Sequence, residues 1–213
     1  MKRAFLVVGI IASVAAPAAA QWLGMPVWNS PKGGTCITIN GDWGRPDSAS
    51  GKGNAFGGRA SLGLGTLTLT AGIESYKPEN ATSSTTSIGG NAAMRVIGGS
   101  LIPVSVNLQV GAARSDSASP TRPATTSVIG AVGLAVSLPT PGLSIEPYVS
   151  PGFRYRHASG TGNTNFGYTI GANLSFGMFG VHAAYDYEHR SGGGHTGILG
   201  LGANVAIKVP LGM

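Results

Sequence analysis

The chain has 213 residues, room for one domain of ordinary size or two small ones. Only 10% of residues are charged and 35 are glycine, against roughly 25% charged and ~7% glycine in soluble globular chains. So little charge cannot cover a solvated surface. The positive mean hydropathy of +0.18 excludes simple disorder, and the lack of a three-residue glycine period excludes collagen.

Met1-Lys2-Arg3 is basic, Ala4 to Ala16 is apolar or small throughout, and Pro17-Ala-Ala-Ala20 offers an Ala-x-Ala cleavage site before Gln21. This three-part pattern predicts a secretory signal peptide over residues 1–20, with export by the Sec route from a Gram-negative-type cell. Residues 21–34 precede the first alternating segment and are read as a periplasmic N-terminal segment, ahead of one domain over 35–213. Without Lys2 and Arg3 the chain keeps 12 basic and 8 acidic residues. Cys36 is its single cysteine, which excludes an internal disulfide and a cysteine-based zinc site. Past the signal no apolar run reaches 18 residues, so no membrane helix is expected.

One rule then repeats. Leu67 to Glu74, Val104 to Ala112 and Phe166 to Phe176 each alternate apolar with small or polar residues. Period two marks a strand with different environments on its faces. Ten segments follow it: Cys36 to Trp43, Ala55 to Gly63, Leu67 to Tyr76, Ser87 to Ile97, Val104 to Arg114, Thr126 to Leu138, Leu143 to Arg156, Asn165 to Phe176, Val181 to His189 and Thr196 to Val209. The connections alternate. Short ones are Leu64 to Thr66, Gly98 to Pro103, Pro139 to Gly142 and Gly177 to Gly180; longer ones are Gly44 to Asn54, Lys77 to Thr86, Ser115 to Thr125, His157 to Thr164 and Arg190 to His195. The pattern predicts an all-β, antiparallel up-and-down transmembrane β-barrel of about ten strands, with long loops at one end and both termini at the other.

Parity sorts the faces. One gathers apolar residues such as Ile39, Leu69, Leu108, Val110, Phe153, Ile170, Leu199 and Leu201. So continuous an apolar face suits lipid, where barrel closure satisfies the backbone. Trp43, Tyr76, Phe166, Phe176 and Tyr187 at strand ends are predicted interfacial aromatics.

The signal peptide, the glycine-rich alternating strands and the segment Pro147-Tyr-Val-Ser-Pro-Gly-Phe-Arg-Tyr155 resemble the small bacterial outer-membrane β-barrel proteins, the OmpA-transmembrane-domain-like and opacity-type group. The resemblance implies an outer-membrane location and surface loops. Familiar members have eight strands, which stands as the alternative count, and they end in an aromatic residue where this chain ends Leu211-Gly-Met213.

The second face carries the charge. Asp42, Glu74, Glu146, Asp186 and Glu188 share it or its rim with Arg59, Arg95, Arg154, Arg156, Arg190, Lys208 and His182. Charges inside a narrow barrel need partners, so near balance predicts a paired network filling the lumen. An ion-selective pore calls for a ring of one sign, and none is evident. His182, Asp186, Glu188, His189, Ser191 and His195 invite a test for an acyl-transfer set, but His182 and Asp186 stand four residues apart, about 13 Å along a strand. Gly51-Lys-Gly53 lacks the ending of a phosphate-binding loop. Arg45, Lys52, Lys77, Arg114 and Arg122 lie in or beside the long loops, where phosphorylated lipopolysaccharide or extracellular ligands are the partners they suit. The expectation is a non-catalytic structural or surface-interaction barrel with no cofactor, metal site or nucleic-acid partner. A porin-like small-solute pore and, behind it, a barrel-embedded hydrolase are the alternatives.

Overall fold

The computed structural model describes residues 35–99, 102–117 and 123–208. The expected signal peptide, the segment before residue 35, Arg122 and the C-terminal Val209 to Met213 lie outside the described residues. The strands are β1 Cys36–Pro46, β2 Asn54–Leu64, β3 Leu67–Lys77, β4 Thr85–Gly99, β5 Ile102–Ser115, β6 Thr125–Val136, β7 Leu138–Thr140, β8 Leu143–Ala158, β9 Thr161–Phe176, β10 Phe179–His189 and β11 His195–Lys208. Each pairs antiparallel with a chain neighbour, though β6 and β7 do not pair with each other; β1 pairs with β11, and β8 pairs with β6 as well as β7, so the described strands close into a barrel. Because β6 and β7 are successive stretches along one side of β8, the wall has ten strands.

The break between β6 and β7 has a local cause. Proline has no N–H to give a ladder. Pro151 sits where the β6–β8 pairing lapses between Ala131 and Leu134, and Pro147 sits just past the last β6–β8 pair, Ala135 with Tyr148. One connection differs from expectation. His157 to Thr164 is not a long loop: Ala158 pairs with Thr161, and Ser159 (φ 50°) and Gly160 (φ 77°) form the whole turn. Two consecutive left-handed residues are what a two-residue hairpin of matching twist needs, so the hairpin rises as one extended ribbon.

Alternation sets the two environments. Outward side chains remain bare: Ile73 is 55% exposed, Val110 57% and Phe153 64%. An apolar surface this extensive belongs in lipid, not water. On β5 the outward residues from Val104 to Ala112 are apolar and Arg114 ends the run. Ten residue steps on a tilted strand give about 25 Å of height, the apolar band of an outer-membrane barrel.

Glycine serves as a seat for rings. A side chain at Gly197 would collide with the ring of Tyr185, one at Gly162 with Tyr155, and one at Gly171 with Tyr148. Each aromatic lies over a glycine of the next strand, which covers bare backbone. Gly197→Val is expected to lift Tyr185 off its seat and destabilise the barrel by about 1–3 kcal/mol, read as a lower urea midpoint in lipid vesicles. An unchanged midpoint would show that the seat is not needed.

Candidate functional site: the lumen and the loop-end rim

The lumen is filled by polar side chains in groups that cross strands. In the first, Asp42 of β1 accepts from Arg59 Nε of β2 at 2.7 Å and pairs with His182 Nε2 of β10 at 2.6 Å. Asn204 Nδ2 lies 3.4 Å from His182 Nδ1. β11 lies between Asp42 and His182, and its residue in that row is Gly202, where a side chain would meet both. The missing side chain lets the contact form.

The same device builds the second group. Arg154 of β8 reaches over Gly167 of β9 to Asp186 of β10, and a side chain at Gly167 would strike the guanidinium. Thr169 donates to Asp186 at 2.7 Å. Arg156 pairs with Glu188, which also accepts from Asn165 at 2.7 Å. Side-chain exposure is 2% for Arg154, 1% for Asp186 and 2% for Glu188. Two cations thus stand against two carboxylates in a dry wall of β8 to β10.

The other expected members divide. Glu146 is held by Asn173 at 3.2 Å and Ser137 at 3.4 Å. Glu74 is only 1% exposed, yet among the described residues no ion pair reaches it and neither carboxylate oxygen has a hydrogen bond. Its row neighbours are Gly57 and Ser87, neither of them cationic. Arg95 is half-buried at the tight-turn end, beside the register shift between Arg95 and Ile97. Arg190 is half-buried in the β10–β11 hairpin, where burial and the nearby Arg156 pull its pKa below the ordinary value. Lys208 pairs with Cys36 in backbone register, and its side chain lies outside the described residues. The network is therefore a set of separate clusters rather than an evenly matched lattice, because two of the counted cations sit toward the rims.

Several contacts escaped the sequence reading. Tyr76, expected at the membrane interface, is fully buried, and its phenol donates to the carbonyls of Ser50 (2.8 Å) and Lys52 (2.7 Å), tying the β1–β2 loop inward. Tyr148 and Ile129 also point inward and join Ala113, Ala135 and Ala184 in a small apolar cluster. Their parity was available. Of the residues weighed as an acyl-transfer set, His182 pairs with Asp42 rather than Asp186, and Ser191 Oγ bonds Asn165 at 3.2 Å. His189 and His195 are exposed.

At the loop-end rim, Arg45, Lys77 and Arg114 close strands β1, β3 and β5, and alternation turns them outward, with Lys52 exposed on the loop between β1 and β2. On the outward face of β8 to β10 aromatic side chains meet across strands: Phe153 meets Phe166 edge-on at 5.7 Å and Tyr168 stacks on Tyr187 at 5.1 Å.

No family model matches this sequence, and no curated protein does. Among solved structures the chain is similar to the β domain of the Bordetella autotransporter BrkA, with 14% identity and a TM-score of 0.51, covering 80% of this chain and 98% of that one. It is also similar to the N-terminal β-barrel domain of Pseudomonas aeruginosa OprF (12% identity, TM-score 0.39, 83% of this chain and 100% of that one). Neisserial surface protein A is a further likeness (16% identity, TM-score 0.33, 82% and 96%). The fold is that of the bacterial outer-membrane β-barrels, and the bare apolar outer wall is one that suits a lipid bilayer.

Proposed function

We propose that this chain acts as a non-catalytic outer-membrane barrel with a structural and surface-interaction role, its loop end outward and its tight-turn end facing the periplasm. The division of charge carries the reading. Inside, Asp42, Arg59, Arg154, Asp186 and Glu188 are buried and engaged with one another in clusters, which supports a filled barrel over a small-solute pore. At the loop end Arg45, Lys52, Lys77 and Arg114 are exposed. Lysine and arginine at that level suit the phosphates of lipopolysaccharide, and an arginine fork can hold a phosphate through two hydrogen bonds. The loops are short enough to favour lipid and small extracellular ligands over a folded binding domain.

Topology and conductance test this together. An epitope inserted within residues 116–124 should be labelled on intact cells, and one between Pro141 and Gly142 only after the outer membrane is opened. The reverse pattern would overturn the orientation. Purified protein in planar bilayers should give no steady conductance steps, and reproducible ones would replace the structural role with a pore.

A further inference from the structure

The chain has four histidines, His157, His182, His189 and His195. His182 is consumed by Asp42 inside the barrel. His189 and His195 are directly opposite each other across the β10–β11 hairpin. The hairpin tip fixes how close they come. Arg190 N–H donates to the Gly194 carbonyl and Gly193 N–H to the Arg190 carbonyl, so the next pair down the ladder, His189 with His195, is the non-hydrogen-bonded kind. In such pairs side chains approach most closely, with Cβ atoms about 4.5–5.5 Å apart.

Other contacts hold the pair in place. Asn165 Oδ1, on β9, accepts from both the Ser191 N–H and its hydroxyl at 3.2 Å, pinning the tip. The His195 ring stacks on Tyr187 at 5.2 Å, which limits its rotation. Both imidazoles are exposed, and neither has a hydrogen-bond partner among the described residues. Alternation places Glu188 and Arg190 on the other face of the strand.

The geometry points to a two-imidazole chelate for a borderline divalent transition ion at this hairpin, an exchangeable site whose remaining coordination positions are filled by water. Imidazole suits copper, zinc and nickel, with Cu²⁺ bound most tightly of the first-row divalent ions. The described residues contain no group of three or more His, Cys, Asp or Glu side chains able to hold a metal, so the site is open rather than caged.

The test uses the full barrel in detergent micelles without a polyhistidine tag, titrated with Cu²⁺ at neutral pH and followed by electron paramagnetic resonance, with Zn²⁺ as competitor. One Cu²⁺ per barrel with two coupled imidazole nitrogens is expected. His189→Gln and His195→Gln should each lose about a hundredfold in affinity, the gain that a second tethered ligand supplies. His157→Gln, equally exposed but on β8, should bind like the wild type. Because both paired side chains are exposed, the variants should keep wild-type heat-modifiable gel mobility. Unchanged affinity in the His189 and His195 variants, or equal loss in His157→Gln, would overturn the site. The result does not depend on which end of the barrel faces outward, which the epitope labelling decides separately.

Discussion

Replacing Arg154 with methionine should destabilise the barrel by about 3–5 kcal/mol, the cost of leaving a buried charge without its partner. The guanidinium meets Asp186 and lies 4.0 Å from Glu188, all three at 2% side-chain exposure or less. Without it, Asp186 keeps the Thr169 hydroxyl but no ion pair among the described residues. Adding Asp186→Leu to Arg154→Met should recover much of the loss, since a packed apolar pair often matches a buried ion pair in stability. Urea midpoints in lipid vesicles, read with gel mobility, give both numbers. A single variant as stable as the wild type would mean that the cluster does not hold β8 to β10 together. A double variant no better than the single would locate the loss in packing rather than in stranded charge.

Gly167 bears on the same cluster, and it shows what the sequence did and did not reveal. Period-two alternation is local, so the face of Arg154, Asp186, Asp42 and His182 could be read from neighbours two residues away. Which of them meet depends on register between strands distant in the chain, and alternation carries no register. Asp42 and His182 are 140 positions apart. The available signal lay in the glycines: Gly202 and Gly167 each open a passage for a side chain from the strand beside it. Tyr76 teaches a related point. It shares parity with Glu74 and so must point inward, yet its place at a strand end suggested the membrane interface. Period two wins because a strand cannot turn one residue around without a bulge. The His157 to Thr164 segment misled for another reason: its polar composition reads as loop, while Ser159-Gly160 alone supplies the turn.

Leu108→Arg and Thr126→Arg place the same charge on the same wall at different depths. Leu108 faces outward midway along β5, 48% exposed, with the apolar run extending to either side. Thr126 pairs with Arg114, where that run ends. An arginine facing lipid at the bilayer centre costs about 2–4 kcal/mol and near the interface about 0–1 kcal/mol. Leu108→Arg should therefore sharply reduce the folded fraction in lipid vesicles, whereas Thr126→Arg should fold almost as the wild type does, its guanidinium reaching the headgroups beside Arg114. A contrast in depth separates this from ordinary core damage, because a water-soluble β-sandwich has no membrane interface to favour one position over the other. The medium supplies the second control. The wild type should fold in lipid or detergent and fail in plain buffer, since the exposed apolar band between the two rims has no other cover. Equal loss in both variants, or a well-folded wild type in buffer, would remove the lipid-facing assignment of this wall.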